Sequence, residues 1–312
     1  MKTLSRRNFL KLSSSAGAAA AGLSLLPAQR AGAIEPFKHA GPARLRLSMC
    51  AYSFREFMND STRKQKSESP AGKRIDMFQF VDYCAEHGCD GAELTSYYFP
   101  KDTDDDFLKK LKRHCYLRGV AISGTSVGNN FTLPEGEKRN EQIALTKKWI
   151  DHAAVLGAPY LRVFAGTGRD ITKEGIKPLC LAALQECADY AGTKGVMLGM
   201  ENHGGIDAEE TLEILHAIKG PWFGLNLDVG NFQTDDPYGD LAKCAPYAIN
   251  VHWKSEIKPK GKPSEPSDFP RLIKMLRDAH YQGYLALEYE AKDDPWEAVP
   301  RILKKTRELL SA

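Results

Sequence analysis

The stretch Val196-Met-Leu-Gly-Met-Glu-Asn-His203 decides the fold. It is a short apolar run of strand type that stops abruptly in an acid, an amide and an imidazole. Three later runs share the design: Phe223-Gly-Leu-Asn-Leu-Asp228, Ala248-Ile-Asn-Val-His252 and Tyr284-Leu-Ala-Leu-Glu288. Each is buried in pattern, and a desolvated charge must be paired or ligated. Four such endings in succession therefore predict one shared site.

Working outward, the same alternation of short apolar run and longer amphipathic segment covers the chain from about residue 45. Strands are expected at 45–51, 91–95, 120–125, 160–164, 196–201, 223–228, 249–253 and 284–288, each followed by a helix. Eight βα units in about 265 residues match a single (β/α)8 TIM barrel. A doubly wound open sheet is the weaker alternative, because no Gly-rich phosphate turn follows the first strand. Gly88, Gly119, Gly157, Gly195, Gly220 and Gly283 stand where left-handed helix caps favour glycine. Asp104 and Asp268 stand at N-cap positions. Helix 137–156 places Ile143, Trp149, Ile150, Ala153 and Leu156 on one stripe.

The chain divides into residues 1–33, a tail at 34–44 and the barrel at 45–312. Ser5-Arg-Arg-Asn-Phe-Leu-Lys11 is a twin-arginine export motif, followed by an Ala-rich stretch and by Ala31-Gly-Ala33, small residues suited to signal-peptidase cleavage. The apolar run is too short and too rich in Gly and Ser for a membrane span, so export to the periplasm or beyond is expected. Residues 1–33 hold five basic residues and no acid. The remainder has 38 basic and 40 acidic residues, a formal charge of −2. No nucleic-acid footprint is left. Seven cysteines without CxxC spacing argue against a zinc ribbon, and no essential disulfide is expected.

Glu201, Asp228, His252 and Glu288 end four consecutive strands and should converge at the C-terminal mouth, where barrel active sites are built from the loops after strands. Three carboxylates and one imidazole suit one divalent ion such as Mn²⁺, Mg²⁺, Co²⁺ or Zn²⁺. His203, on the same rim, is weighed between substrate binding or ligation and support of a neighbour. The other histidines fall on helices, helix ends or the tail. The loops 59–73 and 257–267 lie on the same rim; Lys258, Lys260 and Lys262 could meet an anion, but a solvated loop is the simpler reading. Tyr52, Phe54, Tyr97, Tyr98, Phe99 and Trp253 cluster after strands, where aromatic faces would stack on a sugar.

Met200-Glu-Asn-His203, Leu227-Asp-Val-Gly-Asn231, Asn250-Val-His-Trp-Lys254 and Leu287-Glu-Tyr-Glu290 resemble the xylose-isomerase-like TIM-barrel superfamily of sugar isomerases and epimerases. The resemblance extends to Asp90-Gly-Ala-Glu-Leu94 and Leu161-Arg-Val-Phe-Ala-Gly166. It implies that Glu201 and Glu288 are both metal ligands and the acid/base pair, with Asp228 and His252 completing the metal shell. Asn231 stands where ketose epimerases carry a histidine, and Ser255 displaces the acid usual after the H-x-K element. His203, Asn231, Lys254, Tyr52 and Trp253 are expected at the substrate. Arg162 would orient a substrate oxygen or, the favoured reading, pair with a strand-end acid such as Glu201.

The implied activity is isomerisation or epimerisation of a sugar or keto-sugar through an enediolate. A dehydratase of an inosose or keto-sugar, or a 3-keto-glycoside lyase, would use the same groups. A non-catalytic sugar-binding barrel is the rival from another class, and an abasic-site nuclease is disfavoured by the acidic mature chain. The expected partner is a small carbohydrate, with neither nucleic acid nor a stable membrane span; a homo-oligomer is compatible with the sequence.

Overall fold

The computed structural model describes residues 32, 34–61, 73–166 and 168–311. The export motif and the cleavage segment lie outside these residues, Gly32 aside, as do residues 62–72 of the first rim loop. Strands β1 (Arg44–Cys50), β2 (Gly91–Thr95), β3 (Ala121–Ser126), β4 (Tyr160–Phe164), β5 (Met197–Glu201), β6 (Phe223–Asp228), β7 (Ala248–Trp253) and β10 (Gln282–Leu287) close a parallel barrel. The order around it is β1-β10-β7-β6-β5-β4-β3-β2. Helices α1 (Met77–Glu86), α2 (Asp105–Arg118), α3 (Glu137–Leu156), α4 (Ile176–Thr193), α5 (Ala208–Ala217), α6 (Pro237–Cys244), α7 (Phe269–Asp278) and α8 (Pro295–Ser311) lie between and after the strands. The first and last strands meet in a six-pair register from Arg44↔Gln282 to Met49↔Leu287.

Local chemistry explains the boundaries. The Phe107 amide donates to Asp104 Oδ1 at 2.9 Å, and the Arg271 amide to Asp268 Oδ1 at 3.1 Å, so both aspartates are N-caps. Asp76 and Asp207 add reciprocal capping boxes with Gln79 and Glu210. Five of the six expected cap glycines take positive φ, such as Gly119 at 69° and Gly157 at 76°. Gly283 does not. It lies inside β10 under the Tyr281 ring, whose hydroxyl donates to the Tyr284 carbonyl at 2.9 Å, so a Cβ there would strike Tyr281. The left-handed residue after α7 is His280, at φ 53°.

Strand parity decides what faces where, because alternate side chains leave opposite faces. Outward-facing Leu198, Met200, Leu225, Leu227 and Val251 are buried in the core beneath the helices. The lumen is polar: Ser48 and Ser123 meet across it at 2.7 Å, and Glu93, Asn226 and Asn250 are wholly buried there. Barrel lumens are usually packed with branched aliphatics, and this one departs from that pattern. Below it the tail docks: the Phe37 amide donates to the Pro246 carbonyl at 2.9 Å, and Ile34 is buried. The second rim loop is more ordered than a solvated loop. Its ends form a small antiparallel ribbon, β8 (Glu256–Ile257) with β9 (Glu265–Pro266), anchored by buried Ile257, while Lys258, Lys260 and Lys262 are exposed. Among the described residues no helix is long and apolar enough to cross a membrane.

Candidate metal centre

Glu201 and Asp228 end β5 and β6, His252 is the penultimate residue of β7, and Glu288 directly follows β10. The four are brought together. His252 Nδ1 lies 3.3 Å from Glu201 Oε2, 3.4 Å from Glu288 Oε2 and 3.8 Å from Asp228 Oδ2. All four residues are buried. Glu201, Asp228 and His252 can each offer one ligand atom within 4.8 Å of the others. Separations of this size suit neighbouring ligands around one small divalent ion.

Each group is held from behind. Asp228 is fixed by Asn202, which accepts from the Asp228 amide at 2.7 Å and donates to its carbonyl at 2.9 Å. Glu201 Oε1 accepts from Asn231 Nδ2 at 3.2 Å, while Oε2 accepts from Asn226 Nδ2 at 3.2 Å and lies 3.2 Å from Arg162 Nε. Arg162 also donates to the Val127 carbonyl at 3.0 Å and stacks over Phe164. It thus sits against Glu201, the favoured of its two readings. Asn231 contacts the same carboxylate, which gives the residue at the histidine position of ketose epimerases a contact with an acid. Lys254 Nζ lies 2.5 Å from Glu288 Oε2 and 3.3 Å from Asp228 Oδ2, and it also contacts Glu290.

Charge follows from these contacts. Burial alone would push both glutamates up, but Arg162 and His252 hold Glu201 below the ordinary carboxylate range. His252 and Lys254 hold Glu288 well below it. Burial would lower His252, yet Glu288 and Glu93 raise it well above the ordinary imidazole range. Five acidic side chains (Glu93, Glu201, Asp228, Glu288, Glu290) meet three basic ones (Arg162, His252, Lys254) here, so acids outnumber bases in the cluster even though burial pushes Glu290 up. Two of its inward atoms, Asp228 Oδ2 and His252 Nδ1, are buried without an aligned hydrogen bond, the first beside the Lys254 ammonium and the second among the carboxylates. Buried polar atoms in native structures are normally satisfied. A divalent cation would satisfy both and balance the charge, so the donor set fits such an ion.

The other expected contacts divide. Tyr52, Tyr97 and Tyr98 form an aromatic cluster after β1 and β2, with ring centroids 6.0–6.4 Å apart. His203 is exposed, its ring 4.4 Å from that of Phe164. Trp253, expected at the substrate, points away from the lumen. His252 takes the lumen side of β7, so parity sends Trp253 outward, where its Nε1 donates to Thr306 Oγ1 at 3.1 Å and its ring packs on Phe269. Phe54 and Phe99 likewise pack against helices, on Trp296 and Trp149. A groove of about 200 Å³ adjoins the acids through Asn231, Lys254 and Glu290; a larger one of about 520 Å³ lies beside it, between Arg55 and Asp293.

Four lumen groups escaped the sequence reading as site residues: Glu93, Tyr160, Asn226 and Asn250. Glu93 accepts from Asn250 Nδ2 at 3.2 Å and from the Tyr160 hydroxyl, and its two oxygens lie 3.0 and 3.2 Å from His252 Nε2. Asn250 Nδ2 also donates to Asn226 Oδ1 at 2.7 Å. The signal was present. Asn226 and Asn250 stand two residues before Asp228 and His252, hence on the same strand face, and Glu93 is a charge inside an apolar strand.

Comparison with known proteins agrees with this architecture. The profile of the xylose isomerase-like TIM barrel family matches residues 81–308. A human protein provisionally named a hydroxypyruvate isomerase is 22% identical over 243 residues, covering 68% of this chain and 84% of its own. A xylose isomerase-like TIM barrel protein from Mycobacterium smegmatis, solved in complex with magnesium, superposes with a TM-score of 0.64 at 18% identity, covering 88% of this chain and 97% of that one. An L-ribulose 3-epimerase does so with a TM-score of 0.64 at 15% identity, covering 86% and 93%. At these identities the two structures share the fold.

Proposed function

The chain belongs to the xylose isomerase-like TIM barrel family, and from that premise we propose that it is a divalent-metal-dependent isomerase or epimerase of a sugar or keto-sugar. One observation carries the reading. Two buried ligand atoms, Asp228 Oδ2 and His252 Nδ1, stand without an aligned hydrogen bond inside a cluster in which acids outnumber bases. Glu201, Asp228, His252 and Glu288 would hold the ion. When bound, a divalent ion polarises a carbonyl and its neighbouring hydroxyl, which acidifies the C–H between them.

The chain's own groups do the rest. Glu201 and Glu288 lie on either side of His252 Nδ1, and neighbouring cations hold both in the ionised, proton-accepting form. One takes the proton from the carbon beside the carbonyl; the other, once it has picked up a proton from solvent, delivers it on the opposite face to give the epimer, and the first then returns its proton to solvent. Delivery at the neighbouring carbon, with a proton passed between the oxygens, gives the isomer. Lys254 stands ready to balance charge on the substrate oxygen, and burial keeps water from quenching the intermediate. Tyr52, half-buried beside Tyr97 and Tyr98, would supply a face for a sugar, and the sugar-epimerase and isomerase names of the relatives point to the same substrate class. The same reading puts the substrate outside the cytoplasm, on the strength of the twin-arginine motif.

Metal content and isotope exchange test this together. We expect about one equivalent of divalent metal in the purified protein, lost in Asp228→Asn, and solvent deuterium entering keto-sugars beside the carbonyl. A folded protein that takes up no Mn²⁺, Co²⁺ or Zn²⁺ on titration would overturn the reading. A conjugated, ultraviolet-absorbing product would instead identify a dehydratase.

A further inference from the structure

His252 has two faces, and the acids account for only one. Its Nδ1 looks toward Glu201, Asp228 and Glu288; its Nε2 looks toward Glu93, a wholly buried carboxylate on the opposite wall of the barrel. Four side chains reach the two Glu93 oxygens, and two of them, the Tyr160 hydroxyl and the Asn250 amide, are fixed donors there. His252 Nε2 reaches both, Tyr160 and Asn250 reach Oε2, and the Cys50 thiol reaches Oε1 at 3.5 Å. A carboxylate so surrounded by donors accepts; it cannot donate to the imidazole. The proton in the His252–Glu93 contact therefore belongs to Nε2.

We propose that Glu93 is a positioning residue, which with Tyr160 holds the His252 ring with its Nε2–H directed at Glu93, so that Nδ1 is the nitrogen left facing the strand-end acids and the one that would ligate on giving up its own proton. The second wall of the lumen thereby sets which imidazole nitrogen can ligate. Cys50, Glu93 and His252 could on spacing alone hold a second ion. The Glu93 oxygens are already filled by donors, however, and Nε2 carries the proton, so that trio supports ligation without performing it. A carboxylate behind a ligating histidine typically changes metal affinity by about 10–100-fold.

The affinity readout rests on the metal reading above, whereas the Nε2 proton can be observed with or without metal, so the two can fail separately. Proton NMR of ¹⁵N-histidine-labelled protein should show one strongly deshielded, exchange-protected Nε2–H. Tyr160→Phe should shift it, and Glu93→Ala should abolish it. Mn²⁺ affinity should fall about 10–100-fold in Glu93→Ala and less in the isosteric Glu93→Gln, which guards against misfolding of the alanine variant. Zn²⁺ should bind with one equivalent in the parent. The proposal is overturned if folded Glu93→Gln and Glu93→Ala both keep the deshielded proton and bind Mn²⁺ within twofold of the parent. It is equally overturned if a second Zn²⁺ equivalent binds and is lost in Cys50→Ser. If the proton behaves as expected while Asp228→Asn leaves metal binding unchanged, the metal reading fails and the positioning role stands.

Discussion

The half of the barrel built from β1–β4 and the half built from β5, β6, β7 and β10 have the same architecture and different work. In the second half each strand ends on or beside an acid or imidazole aimed at the mouth: Glu201, Asp228, His252, Glu288. In the first half the strands end on Cys50, Thr95, Ser126 and Phe164, all uncharged. Three of its ionisable side chains lie deeper and bear on the site: Glu93 two residues before the end of β2, and Tyr160 and Arg162 in the body of β4. From there Glu93 reaches His252 and Arg162 reaches Glu201, while Tyr160 donates to Glu93. One half presents groups and the other holds them in place. Low dielectric inside the lumen makes that holding strong, because a buried carboxylate or imidazole has few alternative partners.

The comparison can be broken most directly at its active end. Glu288→Gln keeps size and polarity but removes the charge. Proton transfer should slow by about 10²–10⁴-fold, read as the rate of deuterium incorporation into keto-sugar. A variant within tenfold of the parent would mean that the strand-end acid is structural.

Trp253 sharpens the comparison, because it neighbours His252 yet belongs to the helical shell. Trp253→Ala should cost about 3–5 kcal/mol in chemical denaturation while turnover per folded molecule stays near the parent's. A selective loss of turnover would put the indole back at the substrate.

The smallest effect concerns the shell that both halves share. All seven cysteines are buried and free, and burial pushes the thiols of Cys115, Cys180, Cys187 and Cys244 up to about 12. A thiol reagent at pH 8 should label none of them until denaturant is added. Because these folded-state values lie above the unfolded ones, their contribution is complete below the ordinary thiol range. It is lost as pH rises from there toward 12, so stability should decline gradually with alkali. Rapid labelling of the native protein would show that the shell opens.

What the sequence made legible follows from period and from charge. Apolar runs ending in Glu201, Asp228, His252 and Glu288 announce both the barrel and its mouth, because a charge at the end of a buried run has few physical explanations. The supporting groups were harder to see. Asn226 and Asn250 are neutral amides of a kind that many strands carry, and Tyr160 looks like an ordinary strand aromatic. Their meaning arises only when non-adjacent strands face each other across the lumen. Trp253 and Gly283 sit elsewhere than the sequence suggests for a related reason. Proximity in sequence suggested a role at the mouth for one and at a helix cap for the other, while strand parity and the Tyr281 ring decide otherwise.

The seam between β1 and β10 carries a consequence for how the chain is made. It joins Arg44 to Gln282 and Met49 to Leu287, so barrel closure waits for nearly the whole polypeptide. Until the last strand leaves the ribosome, β1 and β7 are open parallel edges, the kind of surface on which nascent chains stick to one another. Contacts of such long range also slow folding. Closure is thus the step at which a holdase chaperone would have the most to protect.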